Sequence, residues 1–319
     1  MSSENYTRIA EVWIVGLQIS EVIRIPLFLF LLILYIIIIL GNCLIIYLVL
    51  SSSCLHSPMY YFLCNLSFCE VVFTTNLKPV LLLSLLKGGA AMHLTNCIVQ
   101  CYLCASLAAT ECFLLAVMSY DRYIAICSPL HYHFTMTLKK CLQLVTYSWI
   151  GGFTCMLATL VLIFHLDFCG PHVIDHYFCD FSPLLELSCS DFYFVKTETT
   201  FFCFSLTIFP LTFVIGTYVC IIVAILKIPS STGRQKTFST CSSHLSVVCT
   251  YYGTLISLYV VPHRGLSSTN NKILSLIYTV VTPLFNPIIY SLRNREIRAS
   301  LHRLFAITGR PFPTLNKDS

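Results

Sequence analysis

Charge is what this sequence has least of. Only 10% of its 319 residues are Asp, Glu, Lys or Arg, against about 25% in a typical soluble domain. A soluble globule with so few charges could not keep its surface wet. The composition therefore excludes a soluble enzyme, a nucleic-acid binder and a disordered tail protein. The net charge of +5 is too small to imply a nucleic-acid partner. There is no internal repeat and no low-complexity segment. There is also no hydrolase elbow, metal-ligand helix or nucleotide loop, so the chain does not read as an enzyme. The segment before Ile25 lacks the basic-then-apolar pattern and small-residue cleavage site of a signal peptide. The first apolar span is expected to serve as its own insertion signal. No cysteine follows Cys249, so palmitoylation cannot anchor the carboxyl-terminal tail.

What is there is apolar. Hydrophobic residues make up 57% of the chain, and many of the 18 cysteines lie inside apolar runs, where they act as small hydrophobes. A helix needs roughly 20 apolar residues to cross a bilayer. Seven stretches qualify, at 25–50, 59–86, 97–120, 141–164, 199–226, 238–261 and 273–292. None shows the sustained alternation of a barrel strand. The expected fold is an all-α membrane protein, a seven-transmembrane helix bundle. Residues 1–24 precede the bundle (25–292), and 293–319 form the tail.

Basic residues set the orientation. With the amino terminus outside, 12 of the 19 Lys and Arg residues lie on the inner side and 7 on the outer, with Lys78 expected to snorkel outward. Asn5-Tyr6-Thr7 is then an extracellular glycosylation acceptor. The longest loop, 165–198, is also outside. It holds Cys169, Cys179 and Cys189, and Cys97 opens the third span on the same side. Four cysteines permit three pairings, and spacing does not choose among them. In the tail, Ile297, Leu301, Leu304 and Phe305 share one helical face, the pattern of a short amphipathic interfacial helix.

Ionisable residues inside a membrane are costly and mark function. Here they are Glu70, Glu111 and, at the inner edge of the third span, Asp121-Arg122; Asn42 and Asn286 add amides. Two readings stand. The carboxylates and amides gather around water or a sodium ion, or each carboxyl is neutral and hydrogen-bonded locally. Pro283 and Pro287 kink the seventh span beside Asn286 and Tyr290, so that it reads as a moving part or as a static kink. His172 and His176 near Cys179 raise a loop metal site, which a disulfide at Cys179 would remove.

Several segments occur together in one order. They are Gly41-Asn42, then Leu55-His56-Ser57-Pro58-Met59-Tyr60-Tyr61-Phe62-Leu63, then Met118-Ser119-Tyr120-Asp121-Arg122-Tyr123-Ile124-Ala125-Ile126-Cys127 and Pro129-Leu130-His131-Tyr132. Lys236-Thr237-Phe238-Ser239-Thr240-Cys241-Ser242-Ser243-His244 and Pro287-Ile288-Ile289-Tyr290-Ser291-Leu292-Arg293-Asn294 follow. With them the chain resembles the olfactory (odorant) receptors of the tetrapod-type class, within the rhodopsin-like G-protein-coupled receptors. Thr110-Glu111-Cys112 marks the subgroup it most resembles. The family usually has aspartate where this chain has Glu70.

The resemblance implies disulfides Cys97–Cys179 and Cys169–Cys189. It implies that Asp121 holds Arg122 at rest. On activation Arg122 would turn to Tyr218 and the G protein as the sixth span swings outward, with Tyr123, Lys236, Thr240, His244, Asn286, Pro287 and Tyr290 in the same switch. It implies a pocket for a small volatile, mostly apolar odorant in the outer half of the bundle. Its expected lining is Cys104, Ala105, Ala108 and Ala109, then Phe202, Cys203 and Leu206, then Tyr252, Leu255 and Tyr259, then Leu276 and Thr279. With no acid at Cys104, a cationic amine would lack a counter-ion. The implied partner is a stimulatory olfactory-type heterotrimeric G protein that raises cyclic AMP. The implied location is the plasma membrane, in cilia of olfactory sensory neurons. No cofactor is implied beyond sodium or water near Glu70 and Glu111. The alternatives are a non-olfactory receptor for a small non-amine ligand, and a transporter or channel. The latter should show repeated halves or polar pore-lining stripes.

Overall fold

The structure is a computed structural model that describes residues 9–260 and 268–307. Asn5, Arg8, Arg264, Arg310 and Lys317 lie outside the described residues, as do the side chains of Lys236, Thr240, Tyr259 and Phe305.

Seven long helices form a bundle: α1 (Glu21–Ser51), α2 (Pro58–Lys87), α3 (Leu94–Cys127), α4 (Leu138–Phe164), α5 (Tyr193–Leu226), α6 (Ser231–Leu255) and α7 (Ser268–Arg293). A short helix α8 (Arg295–Ile307) follows. The helices overrun the apolar stretches because capping groups, not hydrophobicity, end them. Pro58 occupies the first turn of α2, where no N–H partner is needed, and Gly88 ends it in the left-handed conformation (φ 72°). Thr137 caps α4 and Ser230 caps α6.

Among the described residues six helices are long and apolar enough to cross a membrane. The exception is α6, whose first half carries Arg234, Gln235, Thr237, Ser242, Ser243 and His244. The sixth span thus begins seven residues before its apolar run at Phe238. Beyond Leu255 it widens into one π-helical turn, Ile256–Val260.

Burial ranks the helices. In α3 61% of the apolar window is buried, and in α1 22%, so α3 is the central post and α1 a peripheral one. The outward face of α1 shows Ile25, Leu29, Phe30, Ile33 and Ile36, a surface suited to lipid. Gly152 of α4 sits where an added Cβ would lie 2.8 Å from the Ser106 carbonyl, so α3 and α4 pack backbone to backbone.

The bundle is not purely helical. Strand β1 (Glu11–Ile14) pairs antiparallel with β2 (Ala90–His93) and parallel with β3 (Val173–Ile174). Val12 and Ile14 are buried in one apolar cluster with Ile98 and Ile174, and Trp13 lies over Gly89. Lys272 of α7 is buried and donates to the Gly16 carbonyl (3.2 Å) and to Asp175 (2.6 Å). Cys97 is bonded to Cys179 and Cys169 to Cys189, with Cα separations of 5.3 and 5.7 Å. Together these elements form a lid across one end of the bundle.

Candidate functional site

Below the lid is a cavity of about 90 Å³ walled by α3, α4, α5, α6 and α7. Cys104, Ala105, Ala108 and Ala109 of α3 fall on it, as do Cys203 and Leu206 of α5 and Leu255 of α6. Four expected members do not. Tyr252 turns its hydroxyl to the Cys112 carbonyl (3.2 Å) and bolts α6 to α3. Thr279 accepts from Lys78 Nζ and meets the Tyr177 hydroxyl, both at 3.1 Å. Leu276 packs into the core, and Phe202 meets Phe201 edge to face. The side chain of Tyr259 lies outside the described residues.

Lys78 therefore does not snorkel outward. It is 2% exposed, held inward by the Thr279 oxygen.

Sequence reasoning missed the α4 wall, Met156, Thr159, Leu160 and Ile163. Their i, i+3, i+4, i+7 spacing was a usable signal, but an apolar helix face in a membrane can equally face lipid. Also missed were Tyr278, one residue from the expected Thr279, and Asp180 from the outer loop. The cavity is thus not without an acid. Asp180 Oδ1 accepts the Phe181 N–H at 2.9 Å, capping a short helix at the cavity's edge.

Tyr278 lines the cavity floor. Tyr251 donates to the Ala108 carbonyl at 2.6 Å, and its ring centroid is 6.2 Å from that of Tyr278. Anything pressing on Ala108, Cys112 or Tyr278 presses on groups that hold α6 against α3.

Deeper lies a polar core. Asn286 donates to Glu70 Oε1 at 2.5 Å, and the adjacent Cys69 thiol donates to the Leu107 carbonyl at 3.5 Å. Asn42 joins differently. Pro287 has no N–H, so the carbonyl four residues earlier, at Pro283, has no helical donor. Asn42 Nδ2 supplies one at 3.2 Å. Glu70 Oε2, Glu111 Oε1, Asn42 Oδ1, Asn286 Oδ1 and the Ser67 and Thr74 hydroxyls are buried without a protein partner. Such an all-oxygen donor set fits waters or a hard cation.

At the inner end Tyr132 donates to Asp121 Oδ1 at 2.9 Å, while Arg122 Nε is 4.0 Å from Oδ2. Tyr132 is the nearer partner, which the Asp121-Arg122 pair alone did not indicate. Tyr218 of α5 meets His244 Nδ1 of α6 at 2.7 Å and donates to the Cys241 carbonyl at 3.3 Å. Tyr290 is buried nearby, and Tyr123 packs at the edge of the same core. Asn294 Oδ1 accepts from Tyr60 and from the Glu296 and Ile297 N–H groups, fixing the start of α8. Ile297 and Leu301 bury the inner face of α8.

Cys179 is in a disulfide, and among the described residues no three His, Cys, Asp or Glu side chains converge to hold a metal ion. Burial holds the His176 imidazole below its ordinary pKa, with Lys272 acting in the same direction and Asp180 and Asp175 opposing.

A family model described as olfactory receptor matches residues 31–307. The chain belongs to the olfactory receptor family. Human olfactory receptor 11L1 is 46% identical over 306 residues, covering 95% of this chain and 94% of that protein. Human olfactory receptor 6B2 is 42% identical over 307 residues (96% and 98%). Mouse olfactory receptor 5P52 is 43% identical over 303 residues (95% and 98%). The crystal structure of squid rhodopsin superposes with a TM-score of 0.68 at 16% identity, covering 92% of this chain and 89% of that one. That likeness shows the fold alone, the seven-helix bundle. This olfactory receptor is a multi-pass plasma-membrane protein and a receptor rather than an enzyme.

Proposed function

We propose that this receptor binds small volatile, mostly apolar odorants in the outer cavity. We infer that it then activates a stimulatory olfactory-type heterotrimeric G protein and raises cyclic AMP. The observation that carries this reading is the link between the cavity wall and the α6 tyrosines behind it. The cavity contains Ala108, Cys112 and Tyr278, and the Ala108 and Cys112 carbonyls are the acceptors for Tyr251 and Tyr252 of α6. A guest that fits better when those bonds shift biases α6 between two positions. At the inner end α6 is held to α5 through Tyr218–His244, next to Arg122. Release there would free Arg122 for the G protein.

The amino terminus faces outside in this reading, with a glycan at Asn5, the tail lies inside, and the receptor resides in cilia of olfactory sensory neurons. The acidic outer loop and basic inner segments support that orientation. Water or a sodium ion would sit among Glu70, Glu111 and Asn286, supplying charge balance in the core.

The test is expression at a cell surface with the olfactory stimulatory G protein, scored by cyclic AMP against a volatile panel. Concentration-dependent responses are expected. Their absence in well-trafficked receptor would count against the reading.

A further inference from the structure

Among the described residues the lid covers the aqueous end with three paired strands, two disulfides and the Lys272 latch. The cavity also has a side wall, between α4 and α5. On α4, Met156, Thr159, Leu160 and Ile163 face the cavity. The adjacent face, Leu157, Ala158, Val161 and Leu162, lines an open groove on the outside of the bundle. On α5, Thr199 and Cys203 face the cavity, and Phe194 and Glu198 line the groove. The two hollows thus lie on opposite sides of one seam between α4 and α5.

A hydrogen-bonded contact crosses that seam between the two hollows. Thr159 is buried on the cavity side and donates to both Glu198 oxygens, at 3.2 and 3.0 Å. The Thr199 hydroxyl donates to the Val195 carbonyl at 2.8 Å and lies 3.2 Å from Glu198 Oε2. Glu198 is half-buried and in no ion pair among the described residues. The Thr159 hydroxyl of α4 thus holds a carboxylate of α5 at the edge of an apolar groove. A carboxylate there adds nothing to packing against lipid. It does provide a closure that breaks without rearranging either helix.

We propose that the α4–α5 seam is the entrance through which the ligand reaches the cavity from the bilayer, with the Glu198–Thr159 contact as its gate. The proposal rests on the reading of the cavity as the odorant site, and its occupant is that same neutral, lipid-soluble guest in transit. Such molecules concentrate in hydrocarbon, so the groove is filled from lipid while the lid stays shut.

The cavity's own thiols report entry without any odorant. The probes are N-ethylmaleimide, neutral and bilayer-soluble, and a sulfonated maleimide confined to water. Purified receptor in phosphatidylcholine nanodiscs is labelled, and peptide mass spectrometry follows Cys104 and Cys203, which line the cavity. Cys43 and Cys220, exposed on the spans, serve as internal controls. The neutral reagent should reach Cys104 and Cys203 well ahead of the charged one. Glu198→Ala should speed that labelling about tenfold and Ala158→Trp, which fills the groove, should slow it about tenfold, with the controls unchanged. Equal rates in wild type and both variants, labelling by the sulfonated reagent as fast as by the neutral one, or no labelling in Glu198→Ala would each overturn the entrance. Should Ala158→Trp fail to fold, Glu198→Ala alone decides. A receptor that answers no odorant would refute the functional reading, and the labelling result would stand apart from it.

Discussion

Asn42 is the residue whose role follows most directly from bond accounting. Pro287 deprives the Pro283 carbonyl of its helical donor, and Asn42 Nδ2 replaces it from a different helix. Asn42→Leu keeps similar bulk and leaves that buried carbonyl unsatisfied, at a cost of about 1–3 kcal/mol. A lower melting temperature of the purified receptor is expected, and an unchanged one would show that the carbonyl finds another donor. His176 gives a pH-dependent counterpart. Its imidazole is buried between Tyr177 and Phe178, with ring centroids 4.7 and 4.5 Å away, and Nδ1 has no partner. Burial lowers its folded pKa, so the unfolded lid binds the proton first. Its contribution is intact above the ordinary histidine value of about 6.5 and declines as pH falls below it. Amide exchange in β1 and β3 should quicken between pH about 7.5 and about 5.5 in the wild type, and His176→Phe should remove most of that slope.

At the scale of elements, the close approach of α3 and α4 depends on Gly152. Gly152→Val forces the helices apart and should cost about 1–3 kcal/mol by overpacking. Reduced surface expression, rescued at lower temperature, is the expected outcome. The tie between α3 and α6 acts on function instead. Tyr251 and Tyr252 each donate to an α3 carbonyl. Removing both hydroxyls, in Tyr251→Phe with Tyr252→Phe, loosens α6 by about 1 kcal/mol per bond. Ligand-independent cyclic AMP should rise roughly fivefold or more, and an unchanged basal level would place the two bonds outside the switch. The helices themselves were legible in the sequence, because long uncharged runs have no other stable use in a membrane. Their ends were not, since Pro58, Thr137 and Ser230 set them by local hydrogen bonding. Nor was the sheet legible. A strand as short as Glu11–Ile14 has too little pattern to read, and its partners lie some 80 and 160 residues away.

Across the whole molecule, scarce charge marks the working parts. Buried Glu70, Glu111 and Asp121 line the axis of the bundle, and Lys78 and Lys272 fasten α7 to α2 and to the lid. The α3 face of the cavity was readable from its run of small residues, Cys104 to Ala109. The α4 face was not, because nothing in Met156-x-x-Thr159-Leu160-x-x-Ile163 separates a cavity wall from a lipid-facing one until neighbours are known. On α7 an error of one residue, Thr279 for Tyr278, turned the helix by about 100° and missed the floor. The central claim is that a guest in this cavity drives signalling, and Ala108 is the place to test it. It lines the cavity and offers its carbonyl to Tyr251. The measurement is cyclic AMP against odorant concentration for wild type and Ala108→Trp at matched surface expression. The expected result is a saturable wild-type response that Ala108→Trp abolishes or shifts by about tenfold or more in concentration. An Ala108→Trp curve that overlays the wild type would contradict the cavity as the ligand site.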